Sequence, residues 1–178
     1  THTYTAFWML VAVMAPPYGL SDLLLIDNGV VWTYTDVLGT LIGKHIPKLA
    51  KHWNQINIKA MHFVDWILTV FTSSFPFEFV LRVWDVFLLE GWSAFYRIAI
   101  SLLQQFERKL LSLNFTTTML FLKNKDEAPG VKFHESIEID KVLKGAERLN
   151  RKITKELIVK MMGMKGDGRA KGLHTPRS

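Results

Sequence analysis

Phe77-Glu78-Phe79-Val80-Leu81-Arg82-Val83-Trp84-Asp85-Val86-Phe87-Leu88-Leu89-Glu90-Gly91 is the stretch on which the reading of this chain turns. Pro76 stands where a helix opens and Gly91 where one stops, so the run reads as a single helix over Phe77 to Glu90. Only Glu78, Arg82 and Asp85 interrupt an almost continuous apolar surface. Arg82 and Asp85 stand at i and i+3 on one side, with Glu78 one turn before Arg82. A charge buried alone costs on the order of several kcal/mol, so the spacing predicts a structural ion-pair network within the helix.

Outward from this helix the rest of the chain also reads as helical. Downstream, Phe95, Ile98, Ala99, Leu102, Leu103, Phe106 and Leu110 recur at helical spacing, while Arg97, Ser101, Gln104, Gln105 and Arg108 take the opposite face. That pattern predicts one core face and one water face. Asn114 caps a short helix through Leu122, Ala128-Pro129-Gly130 reads as a loop, and two further helices are expected at about 136–144 and 154–162. From Gly163 onward the glycine-rich basic sequence lacks apolar periodicity, and disorder is expected there.

Upstream, Met61, Val64, Ile67, Leu68 and Phe71 mark a helix that Asn57 is placed to cap. Pro47 divides a helix beginning at the Thr35-Asp36 cap from a second over Pro47 to Trp53, and Asp27-Asn28-Gly29 marks a turn. Tyr4 to Met14 is apolar all round, which predicts burial on every side, and Pro16-Pro17-Tyr18-Gly19 stops it. Chain ends usually have solvent on one side, and the sequence opens on Thr1. The expectation is that preceding chain once packed here, leaving an apolar surface around Phe7, Trp8 and Leu10 for that missing part or for self-association.

Composition narrows the function. The 178 residues, 49% apolar, exclude a disordered or collagen-like polymer, and the absence of cysteine excludes disulfides, thiolate metal sites and a cysteine nucleophile. It also fits a cytoplasmic setting. Residues 1–122 hold 8 Lys/Arg against 8 Asp/Glu, whereas residues 123–178 hold 14 against 8, so the net charge of +6 lies in the C-terminal third. Because lysines alternate there with glutamates along helical faces, the expected role is a solvated surface, with no nucleic acid bound and at most peripheral membrane contact. No apolar run is both long and unbroken enough to span a bilayer, and no signal peptide is evident. His45 and His52 straddle the break at Pro47 and form no metal-binding pattern; Asp65, Glu78 and Asp85 read as caps or ion-pair partners; Gly39 and Gly43 interrupt a helix and make no phosphate loop. No catalytic residue, metal or cofactor is expected.

Four collinear segments carry a resemblance. Arg82-Val83-Trp84-Asp85 through Glu90-Gly91 resembles the R-[IV]-W-D-x-[FL]-[FL]-x-E-G signature of TBC domains, the domains of Rab GTPase-activating proteins. Ala6-Phe7-Trp8 resembles that family's A-F-W helix, Ile46-Pro47-Lys48-Leu49-Ala50-Lys51-His52 its L-P-x-L-x-x-H element, and Trp66 to Phe71 its W-[FIL]-[LI]-[TC]-[LV]-[FY] helix. The resemblance implies an all-α, irregular multi-helix bundle: the C-terminal part of a TBC domain over residues 1–123, a helical extension over 124–162 and a basic tail over 163–178.

It also implies a Rab-type, GTP-bound small GTPase as partner, and action as an enzyme regulator in vesicle traffic, cytoplasmic or peripheral on endomembranes. TBC domains insert an arginine from I-x-x-D-x-x-R and a glutamine from Y-x-Q, the first offsetting charge on the transferring phosphoryl group and the second positioning water. Both motifs precede the A-F-W helix in the family. Here Ile137-x-x-Asp140 ends in Leu143, and no tyrosine has glutamine two residues on. The expectation is therefore a chain without either finger, inactive alone, or a non-catalytic GTPase-binding or scaffolding module. Arg82, Trp84 and Asp85 are read as structural residues of the signature helix.

Overall fold

Proline and glycine set the helix boundaries seen in the computed structural model, which describes residues 2–25, 29–123 and 137–170. Every regular element among them is helical: α1 (His2–Met14), α2 (Leu20–Leu24), α3 (Val30–His45), α4 (Pro47–Gln55), a 3₁₀ turn (Ala60–Phe63), α5 (Val64–Thr69), α6 (Phe77–Glu90), α7 (Trp92–Leu110), α8 (Phe115–Lys123), α9 (Ile139–Arg148) and α10 (Lys155–Ala170). Pro47 sits in the first turn of α4 and Pro76 immediately precedes α6, as their fixed φ and missing N–H favour. Gly91 joins α6 to α7 at φ 66°, ψ −145°, a conformation open essentially to glycine alone.

α7 is the central element. Trp92 through Leu103 is buried without interruption, including Ser93, Arg97 and Ser101. The expected water face holds only in the second half of the helix, where Gln104 and Arg108 are exposed; at Arg97 and Ser101 it is buried, because α9 packs along it. Ser101 donates its hydroxyl proton to the Val142 carbonyl at 2.7 Å. A Cβ on Gly145 would lie 2.2 Å from Ser101 Oγ, so this crossing requires glycine. The buried Arg97 guanidinium pairs with Glu90 and donates from Nε to the Ser93 carbonyl at 3.2 Å. A stripe of serine, alanine and one paired arginine leaves room for a second helix, which amphipathicity alone does not reveal.

Around α7 runs a chain of rings: Phe71 stacks on Phe95 at 4.7 Å, Phe95 meets Trp92 at 5.3 Å, and Trp92 meets Phe87 at 5.4 Å. Phe63, Trp66, Phe75 and Phe79 continue it at 5.0–5.2 Å. Such pairs add roughly 0.5–1.5 kcal/mol each beyond area burial. Their polar ends are satisfied: Trp66 Nε1 donates to the Leu122 carbonyl, Trp92 Nε1 to that of Tyr18, and the Tyr96 hydroxyl to that of Tyr34.

Several boundaries differ from expectation. α3 begins at Val30, not at the Thr35-Asp36 cap: Thr35 is buried inside the helix and donates to the Trp32 carbonyl, while the added turn places the Tyr34 ring 4.5 Å from Trp92. Asn57 caps nothing but takes a left-handed φ of 61°, and the capping falls to Lys59, whose N–H donates to His62 Nδ1. α5 ends at Thr69, because Val70 and Phe71 turn left-handed at φ 45° and 69°. Asn114 does cap α8: its Oδ1 accepts from the Thr117 N–H at 3.0 Å while its own N–H donates to Thr117 Oγ1. α9 lies three residues later than expected at its start, and α10 continues to Ala170 where disorder was expected from Gly163. Residues 171–178, Asp27-Asn28 and the loop at 128–130 lie outside the described residues.

Candidate interaction surfaces

α1 does not bury its apolar circumference. Among its residues only Val13 is buried, whereas Tyr4, Phe7, Trp8, Met9, Leu10 and Val11 are 41–68% exposed. Burial on every side does not hold, whereas the open apolar surface expected around Phe7, Trp8 and Leu10 does: α1 touches the body chiefly through α2, and nothing among the described residues lies over its outer side. Tyr4 and Phe7 instead pack edge-on against Trp8, at 6.1 and 5.5 Å. Beyond α1, Tyr18 fastens this end to the end of α6: its hydroxyl donates to the Leu88 carbonyl and its ring lies 5.6 Å from Phe87.

α6 presents a second open face. Phe79, Val80, Val83 and Phe87 point into the core, so 100° per residue turns Glu78, Leu81, Arg82, Asp85 and Leu89 outward. Leu81 is 49% and Leu89 85% exposed, and Arg82 and Asp85 are exposed as well. The expected ion-pair network is absent: among the described residues no ion pair joins Arg82 to Glu78 or Asp85. The charges avoid the cost of burial by facing water, so they need no internal partner. Trp84 behaves differently. Half-buried, it donates from Nε1 to the Val70 carbonyl at 3.1 Å and so ties α6 to the left-handed turn after α5.

The pair that periodicity missed is Glu90–Arg97. Arg97 stood among the residues expected in water, yet it is 3% exposed and anchored to the last residue of α6. The available signal was the i, i+7 spacing of opposite charges across Gly91. Arg82, Glu90 and Arg97 line one wall of a groove of about 470 Å³ whose other wall is α9, with Asp140, Lys144 and Glu147. Three bases and three acids on an apolar floor of Val86 and Ile98 make recognition chemistry, without a nucleophile beside a base.

Among the described residues the histidines do not converge. His52 bonds the Leu113 carbonyl through Nε2 at 2.9 Å, while His45 Nε2 is buried without a hydrogen-bond partner. Burial, with Lys44 and Lys152 nearby, holds the His45 imidazole below its ordinary pKa. Burial raises the Tyr96 phenol well above its usual range, keeping it a proton donor to Tyr34. Among the described residues no three His, Asp or Glu side chains stand close enough to hold a metal ion, and no helix is long and apolar enough to cross a membrane.

With this geometry in place, the comparisons fall on the same elements. The Rab-GTPase-TBC domain matches residues 1–111, from α1 to the end of α7, and the chain belongs to that family. Its relatives include TBC1 domain family member 14 of Bos taurus, 31% identical over 63% of this chain, and the Rab GTPase-activating protein tbc-11 of Caenorhabditis elegans, 33% identical over 66%. A TBC domain-containing protein kinase-like protein of Mus musculus is 32% identical over 66%. The matched region spans only 16%, 13% and 13% of those proteins' own lengths.

Proposed function

We propose that this chain is the C-terminal part of a TBC domain, residues 1–123 with 124–162 as a helical extension, and that the whole protein promotes GTP hydrolysis by a Rab-type GTPase at the cytoplasmic face of endomembranes. The observation that carries the reading is the pairing of two facts. The signature helix α6 is formed and tied by Trp84 to the preceding helix, while α1 leaves Phe7, Trp8 and Leu10 more than half exposed. A surface of that size and apolarity asks for cover. The N-terminal half of the same domain supplies it, and with it the catalytic arginine and glutamine that no I-x-x-D-x-x-R or Y-x-Q motif of this chain provides. Alone, the chain does not accelerate hydrolysis.

The test is single-turnover GTP hydrolysis by a panel of Rab proteins, with this chain and with a longer protein that restores the preceding half, alongside binding to the GTP-loaded form. No acceleration by the chain and acceleration by the longer protein is the expected result. Acceleration by the chain itself overturns the reading and directs attention to Arg82, the exposed arginine of the signature helix. Binding by both proteins with acceleration by neither makes this a non-catalytic GTPase-holding module.

A further inference from the structure

The outer flank of α9 carries a charge pattern that the GTPase reading leaves unused. α9 buries Val142, Ala146 and Leu149, and at 100° per residue this puts Lys141, Lys144 and Arg148 together on one exposed flank of the helix. Arg151 and Lys152 follow in the turn to α10, and all five are exposed. Acids neutralise them only in part. Glu138 pairs with Lys141 at 3.2 Å, and Lys144 stands at the edge of the flank, lining the groove beside Asp140 and Glu147, whereas Arg148, Arg151 and Lys152 do not line that groove. Among the described residues, Lys144, Arg148, Arg151 and Lys152 have no ion-pair partner. At the end of this row Lys152 acts together with Lys44 on the nearby His45 imidazole, so a further base stands beside it.

We infer that this ridge, Lys141, Lys144, Arg148, Arg151 and Lys152, docks the protein on an anionic phospholipid bilayer. What the flank lacks decides between partners. A protein interface has an apolar or aromatic centre ringed by polar groups, whereas no large exposed apolar side chain occurs among the described residues between Phe115 and Val159. A duplex groove needs an inserted element, and α9 lies flat, its inner side held on α7 by Ser101 and Gly145. Flexible, exposed cations suit a planar sheet of headgroups, where each Lys or Arg contributes about 1 kcal/mol, roughly fivefold in affinity.

Vesicle co-sedimentation of the full chain tests this, comparing phosphatidylserine-rich with pure phosphatidylcholine vesicles. The expected result is binding to the anionic vesicles alone, abolished at high salt as screening shortens to a few ångströms. Arg148→Gln with Arg151→Gln weakens it by about 25-fold, while Glu147→Gln, on the groove side, does not weaken it. Helical circular dichroism confirms that each variant is folded. Equal binding by the double variant overturns the proposal, as does failure of the unsubstituted chain to bind, or tighter binding to heparin or duplex DNA than to the vesicles. GTP hydrolysis plays no part in the readout, so the outcome is independent of the proposed activity.

Discussion

At the scale of single residues, two contacts carry more than their size suggests. Gly145 allows α9 to approach Ser101 closely enough for the Ser101–Val142 hydrogen bond. Gly145→Ala should cost about 1–3 kcal/mol, the usual range for overpacking, measured as a lower urea midpoint. Adding Ser101→Ala removes the clashing oxygen, so the double variant should lose less than the sum of the two single ones. Trp84 holds the carbonyl of Val70, a β-branched residue in a left-handed conformation that disfavours it by roughly 1–2 kcal/mol. Trp84→Phe keeps most of the ring but leaves that carbonyl without its donor. A loss of about 1 kcal/mol is expected, with faster amide exchange in the 70–75 segment. Neither role was legible from residue type: Trp84 was marked by the signature and Gly145 by nothing at all.

At the scale of elements, α1 and the first half of α7 depart from what periodicity alone suggests. An all-apolar helix is exposed and the polar stripe at Arg97 and Ser101 is buried, since each outcome depends on what lies beside the helix. Because Phe7 and Trp8 contribute little to the body of the protein, Phe7→Ser with Trp8→Ser should leave the urea midpoint nearly unchanged, within the half kcal/mol usual for surface sites. Self-association in sedimentation velocity should fall at the same time. A large loss of stability would show that α1 is packed against the body after all. α6 is intermediate: Pro76, Gly91 and its inward residues were legible, while the openness of Arg82 and Asp85 was not. An apolar neighbourhood in sequence is not an apolar neighbourhood in space.

At the scale of the whole molecule, the unpartnered His45 links stability to pH. Its folded-state pKa lies below the ordinary value of 6.5, through burial first and then Lys44 and Lys152. The unfolded chain therefore takes up the proton first. Stability is highest above about pH 6.5, falls as pH drops through that value, and levels off below the depressed folded pKa. His45→Gln should flatten this dependence, read as urea midpoints between neutral and mildly acidic pH. From the sequence alone came the all-α class, the Pro-set start of α4, the Pro- and Gly-set limits of α6, the Asn114 cap and the family, because these rest on local backbone preferences and on contiguous motifs. Only the tertiary structure decided that α9 covers the serine side of α7, that Glu90 and Arg97 pair across Gly91 and that the cations of α9 collect on one exposed flank. These depend on close approach between segments far apart in the chain, where a missing side chain or a paired charge counts for more than periodicity.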